Sequence, residues 1–427
     1  MISYPFPPNA SAGAVRSERF ARYLPQFGWA VDVVTIRPRE DMFEDRARLD
    51  MLGKDVCVHF TRTLDPWLWL RDKRPKTLIV RGARSAMMRL FSFPDHMLLW
   101  VPFAVKKGLE ICKTTQIDAI YSTSPPHSSH LAARILSSLT HKPWLADFRD
   151  PWTLNAYRGR GLIENLLVKI DRSLETGVLN KASVVLANTP ANRKNLLKVF
   201  SFLSESKVIH VPNGWEEFPS EVYRAEKKDG PLTIVHAGTF YTRFKPYSLF
   251  HILAKWRREN NQGQIPPWPK DIRIVLLGSG DPETVQVVQD LQLKDIVEIR
   301  PWVSMEEVRR IMCQADLLWA SLGTGKESST YIPSKLFEYI AAKRPILGFF
   351  PEGEAEKLIK GTGVGLVFSN DDFIAVIKSI HEAICVKGIK EPSWFNPGAD
   401  IAKYHIENIT RNLAQILEES VKSNRFS

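Results

Sequence analysis

The sequence predicts an α/β protein with two doubly wound, Rossmann-like parallel sheets. Three observations carry this expectation. Apolar runs of five or six residues alternate with longer amphipathic runs through most of the chain. Most of these short runs hold consecutive apolar residues rather than a strict alternation, the pattern of strands covered on both faces. They also fall into two series within 427 residues, more chain than one ordinary core accommodates.

The chain opens with 5-PFPPNASAGAVRSERFARYL-24, a glycine turn leading into a helix. Only residues 1–4 precede it, so the strand that feeds this turn is either very short or begins upstream. Strands are expected at 31–36, 118–123, 143–148, 183–188 and 207–212, with helices at 127–139 and 161–180. The stretch 213–231 is charged, turn-rich and weakly periodic, which marks a joint. A second series of strands follows at 232–238, 272–278, 296–301, 316–320, 345–350 and 364–368, with a helix at 304–315. Residues 399–423 read as one amphipathic helix. The expected organisation is an N-terminal domain over 1–215, a linker over 216–230, a C-terminal domain over 231–398 and a closing helix over 399–427.

Hydrophobic residues at 44% and charged residues at 25% describe a globular protein. No apolar run reaches the length of a bilayer span, and the N-terminus MISYPFPPNA has no leader-like pattern, so a cytoplasmic location is expected. Cys57, Cys112, Cys313 and Cys385 lie far apart and form no CxxC or Cys/His cluster, so neither a disulfide framework nor a metal site is expected. The formal charge of +11 suits polyanionic partners. Part of it is concentrated in 71-RDKRPKTLIVRGARSAMMRLF-91, which can lie on an anionic membrane surface or be a solvated basic loop and helix. That segment carries no nucleic-acid motif, so nucleic acid is not an expected partner.

Ligands of open parallel sheets bind beyond the carboxyl ends of the strands. In 331-YIPSKLFEYIAAKRPILGFF-350, Pro333 suits the first helical position. The N–H groups that follow have no helical acceptor and, with the helix dipole, form an anion site around Ser334, Lys335 and Leu336. Glu338, one turn beyond Ser334, is placed to accept hydrogen bonds from a ribose diol. The blander reading is a capped helix with a surface Lys335–Glu338 salt bridge. Arg243 and Lys245 follow the strand end at Gly238, where two cations can stabilise phosphate charge on a departing group. Gly278 and Gly280 stand between a strand and a helix and allow close approach to a ligand. In the first half, Gly13 allows close approach of a substrate, while Arg16 and Arg19 can bind phosphate. His127 stands at a helix start, as a cap or as an acceptor contact. Asp147, Arg149 and Asp150 follow a buried strand, either as chemistry on a sugar hydroxyl or as an internal Arg–Asp pair that fixes the loop.

The stretches YPFPPNASAGAVR, STSPPHSSHLAA, PWLADFRDPW, HVPNGW, HAGTFY, GSGD and YIPSKLFEYIAAKRPIL, in this order, resemble the family 4 retaining glycosyltransferases of the GT-B fold, in the branch that builds bacterial surface polysaccharide. The resemblance implies two domains facing across a cleft, the acceptor held by the first and the nucleotide-sugar by the second, and a last helix that crosses back to the first. It implies that Arg243 and Lys245 are the basic pair at the donor diphosphate and that Glu338 is the ribose ligand, the second glutamate of a paired motif. The first glutamate of that motif would stand eight positions earlier, where this chain has Thr330, with Glu327 nearby but out of register. The N-terminal catalytic position, often His in the family, falls near Arg149 and Asp150. The fold class is usually metal-independent, and the chain contains no Asp-x-Asp, so no cofactor or metal is expected.

The expected function is transfer of a sugar from a nucleotide diphosphate sugar to a glycan or lipid-linked acceptor, at the inner face of a membrane. The alternatives are a nucleotide-sugar epimerase of the same architecture and a catalytically inactive partner-binding subunit.

Overall fold

The computed structural model describes residues 1–39, 42–64, 93–154, 162–223, 230–240, 246–259, 265–269, 271–278, 280–322, 325, 328–369 and 372–425. Arg243, Lys245, Glu327 and the basic segment 71–91 lie outside the described residues. The chain divides into two compact units, Met1–Asn213 together with Ile406–Ser427, and Gly214–His405.

In the first unit, β1 (Val31–Ile36) and β2 (Val56–Thr61) pair in parallel, and β3 (Ile120–Ser124), β4 (Trp144–Phe148), β5 (Val184–Ala187) and β6 (Val208–His210) pair in that order. Ile2 bridges both Val34 of β1 and Ser122 of β3. Residues 1–3 therefore stand where a first strand belongs. Side chains alternate between two cores as the two-residue period of a strand requires. Trp144, Ala146 and Phe148 enter one core, and Leu145 enters the other. Helices α1 (Ala12–Tyr23), α2 (Val101–Thr114), α3 (Ser128–Thr140), α4 (Leu162–Lys181) and α5 (Pro190–Val199) follow the strands. The start of α5 shows how sequence sets a boundary: the Thr189 hydroxyl accepts from the Asn192 N–H, and Pro190 takes the first position.

Strand β2 is an addition to the sequence expectation. Its residues VCVHFT alternate instead of forming an apolar run; among the described residues β1 is its one strand neighbour.

The second unit holds a six-stranded parallel sheet in the order β12-β11-β10-β7-β8-β9. Its strands are β7 (Leu232–Ala237), β8 (Ile272–Leu277), β9 (Val297–Arg300), β10 (Leu317–Ser321), β11 (Ile346–Phe349) and β12 (Gly365–Phe368). The helices are α6 (Ser248–Arg258), α7 (Pro282–Asp290), α8 (Met305–Gln314), α9 (Lys335–Ala341), α10 (Glu354–Thr362) and α11 (Phe373–Val386). Residues 216–223, expected in the linker, pack into this unit: Phe218 and Val222 are buried in its core, and the Tyr223 hydroxyl donates to the Ala341 carbonyl at 2.8 Å.

The closing segment is not one helix. A 3-10 turn over Ala399–Tyr404 ends at His405, whose backbone is extended, and α12 (Ile406–Arg425) begins there. The turn belongs to the second unit, where Trp215 Nε1 donates to the Ile401 carbonyl at 2.9 Å. Helix α12 belongs to the first, where Ile409, Leu413 and Leu417 join Phe20, Leu24 and Val33 in one core. Among the described residues no helix is long and apolar enough to cross a membrane.

Candidate active site

The strand order of the second unit reverses its direction of growth between β7 and β10. Sheets wound this way open their ligand crevice at that point. Gly238 follows β7 with φ +96°, a backbone that glycine adopts without strain. Two residues earlier, His236 is fully buried, with Nδ1 2.9 Å from the Trp319 carbonyl on β10. A carbonyl accepts only, so Nδ1 carries the proton and Nε2 presents a lone pair. Lys335 Nζ donates to that Nε2 at 3.1 Å. Burial pushes the Lys335 ammonium down to about 7. Burial, with the nearby Lys335 charge, holds His236 well below its usual range. Phe240 stacks on His236 with ring centroids 3.9 Å apart.

One turn after Lys335, the Tyr339 hydroxyl accepts from the Ala237 N–H at 2.9 Å and donates to the Trp319 carbonyl at 3.1 Å. Helix α9 is thereby tied to both strands of the switch point, and its Lys335 ammonium faces the Gly238 turn: a Cβ on Gly238 would lie 3.6 Å from Nζ. The turn after β8 lies alongside. The Gly238 N–H donates to the Leu277 carbonyl at 2.9 Å, and the Thr239 hydroxyl reaches the Gly278 carbonyl at 3.4 Å. Gly280 then leads into Asp281, whose carboxylate caps α7.

Several expectations for α9 need correction. Pro333 lies two residues ahead of the first helical residue, Lys335. Its carbonyl accepts the Leu336 N–H at 3.0 Å, and the Ser334 carbonyl accepts the Phe337 N–H at 3.1 Å. Two of the N–H groups expected to face an anion are therefore used inside the turn. The Leu336 side chain is wholly buried in the core, and Ser334 makes no side-chain cap. The Lys335–Glu338 surface pair does not form. Lys335 turns to His236, while Glu338 Oε2 lies 3.8 Å from Arg309 Nε. Arg309 also pairs with Glu216 at 3.2 Å and lies over the Phe218 ring, so one cation orients two carboxylates.

In the first unit, the internal Arg–Asp pair is Arg16–Asp147. Nε and Nη2 of Arg16 each donate to the Asp147 carboxylate at 2.9 Å, and the same guanidinium reaches the carbonyls of Val211 and Pro212 and the Asn213 side chain. Tyr121 and Thr123 donate to Asp147 Oδ2 at 2.6 and 2.9 Å. Burial alone would raise the Asp147 carboxyl, but Arg16 and these hydroxyls outweigh it and hold it low. Arg16 is thus committed to holding strand ends together, and Arg19 is also buried. Arg149 does a different job. Its guanidinium donates to the Gly13 carbonyl and, at 3.1 Å, to the Pro125 carbonyl. A Cβ on Gly13 would lie 3.3 Å from it. Asp150 Oδ2 is 3.9 Å from Arg149 Nε. Burial raises the Asp150 carboxyl and Arg149 opposes the rise; the side chain keeps 38% of its surface, so water damps the shift. His127 precedes α3 and stacks on Trp152 with centroids 4.5 Å apart. The start of α1 at Gly13 and the loops carrying His127, Arg149 and Asp150 gather at one end of this sheet, while Arg16 points beneath them into the interior.

Residues 11–214 match the family model of the glycosyl transferase 4-like domain. No curated protein sequence matches the chain. Among solved structures, the Anabaena protein Alr3699/HepE in complex with UDP and glucose is 15% identical, with a TM-score of 0.63 over 97% of this chain and 98% of that one. The sucrose-phosphate synthase of Thermosynechococcus elongatus is 15% identical, with a TM-score of 0.58 over 99% and 93%. The N-terminal domain of trehalose-6-phosphate phosphatase from Candida albicans is 13% identical, with a TM-score of 0.60 over 98% and 96%. The fold is GT-B.

Within this GT-B chain, sequence reasoning missed His236, Tyr339 and Arg309. A lone histidine inside the apolar run LTIVHAG was the available signal for the first. Tyr339 reads as one more core aromatic of α9, and Arg309 as a surface residue of α8, until packing sets them against β7 and Glu338.

Proposed function

We propose that the chain is a retaining, metal-independent glycosyltransferase. It takes a nucleotide diphosphate sugar as donor and a glycan or lipid-linked acceptor, in polysaccharide biosynthesis on the cytoplasmic face of a membrane. The observation that carries this reading is the cation at the switch point of the second unit: Lys335, held by His236 against the glycine turn at Gly238. A diphosphate gains negative charge as its bond to the sugar breaks, and a desolvated ammonium aimed at that charge stabilises the transition state more than the ground state. Arg243 and Lys245, which follow Gly238 in sequence, add to it. Glu338, oriented by Arg309, accepts the ribose hydroxyls. The glycine turns at Gly238, Gly278 and Gly280 let the backbone approach the nucleotide. On the acceptor side, Gly13 and His127 bound the binding surface, and Arg149 and Asp150 act at the reacting hydroxyl. The family match over residues 11–214 and the UDP bound to the structurally similar Anabaena protein support the donor class.

Thr330, where the resemblance expects a glutamate, favours one competing reading, an inactive subunit that binds nucleotide. Incubation with UDP-, GDP- and ADP-sugars together with glycan and lipid-linked acceptors, followed by proton NMR, separates the cases. Release of nucleoside diphosphate with a product of unchanged anomeric configuration supports the transferase. An epimerised sugar, or binding without release from any donor, overturns it.

A further inference from the structure

We propose a cation site for zinc or a similarly borderline-soft divalent metal on β1 and β2 of the first sheet, formed by Asp32, Cys57 and His59. It is independent of the donor reading. Strands β1 and β2 are parallel and in register, with Asp32 opposite Cys57 and Val34 opposite His59. In-register residues of parallel strands point to the same face, and residues two apart on one strand share a face. Asp32, Cys57 and His59 therefore emerge together. His59 Nε2 lies 2.7 Å from Asp32 Oδ1, and one ligand atom from each of the three residues lies within 4.8 Å of the other two.

Ligand atoms about 2.0–2.3 Å from a shared zinc lie roughly 3–4 Å from one another, so rotation about side-chain bonds closes the remaining distance. A carboxylate oxygen, a thiolate sulfur and an imidazole nitrogen suit Zn2+ in softness, and Mg2+ or Ca2+ poorly. The site is reachable: the Asp32 and His59 side chains keep 20% and 25% of their surface, and Cys57 is exposed. On binding, the Cys57 S–H bond breaks, its proton leaves to solvent and a metal–sulfur bond forms. Three protein ligands leave one tetrahedral position for water. The physical effect is a clip across the β1–β2 strand pair. Sequence spacing hid it, because C-x-H on one strand is completed by an aspartate 25 residues earlier on its neighbour.

Co2+ is the probe, because a cobalt–thiolate bond gives an intense near-ultraviolet charge-transfer band. Titration of the full chain, stripped with chelator, should give that band at one equivalent and an upward melting shift with Zn2+. Cys57→Ser should abolish the band. Asp32→Asn and His59→Ala should weaken Co2+ binding by at least about tenfold. Cys385 lies beside His381 on α11, so Cys385→Ser is the control and should leave the band intact. Absence of a thiolate band at millimolar Co2+ overturns the proposal. So does a band that survives Cys57→Ser or disappears in Cys385→Ser. Circular dichroism of each variant confirms that the fold is intact.

Discussion

Lys335, half-buried, and Asp147, fully buried, show how two charges set into the fold are handled differently. Asp147 is surrounded by Arg16, Tyr121 and Thr123, so its charge is matched and its carboxyl stays low. Asp147→Asn should cost about 3–5 kcal/mol in urea unfolding, because it strands the Arg16 guanidinium in the interior. A loss below 1 kcal/mol would show that the pair is dispensable. Lys335 instead faces a neutral imidazole, and burial lowers it from 10.5 to about 7. Between those values the unfolded chain holds the proton and the folded chain does not, so this residue makes stability rise with pH above 7. Below about 7 both states are protonated and the slope disappears. In phosphate-free buffer, the advantage of Lys335→Met over wild type should shrink from pH 7 to 9, by at most about 1.4 kcal/mol per unit. A constant difference over that range would contradict a lowered Lys335. The same residue was legible in sequence as a cation at a helix start. Its neutral histidine anchor was not, because that contact joins residues 99 apart.

At the scale of elements, the continuous apolar runs located the buried strands, since burial on both faces leaves little choice of residue. Strand β2 escaped because its residues VCVHFT alternate and read as loop. The break at His405 escaped because amphipathic periodicity continues across it; what sets the boundary is that the residues on either side join different cores. Helix α9 was legible in position but not in its first turn, where the Pro333 and Ser334 carbonyls capture N–H groups that sequence reasoning left open. Helix α12 supplies the Leu413 side chain, fully buried, to the core of the first unit. Leu413→Ala should destabilise that unit by about 2–5 kcal/mol, read as an earlier urea transition of its tryptophan fluorescence. An unchanged transition would mean that α12 is not integral to this core.

For the whole molecule, the two units repeat one winding scheme. Each sheet grows outward in both directions from its first strand. That repetition was visible in sequence as two series of strands. Which loops meet at a switch point was not, because strand order depends on pairing between distant segments. The central claim is that the second unit binds a nucleotide diphosphate through Lys335 and Glu338. Isothermal titration of UDP, GDP and ADP into wild type and Glu338→Ala tests it most directly. One nucleotide should bind wild type, and the variant should lose roughly 1.5–3 kcal/mol, about 10–150-fold in affinity, for the charged hydrogen bonds to the ribose. Equal affinity in both proteins, or no binding of any nucleotide to wild type, would contradict the claim.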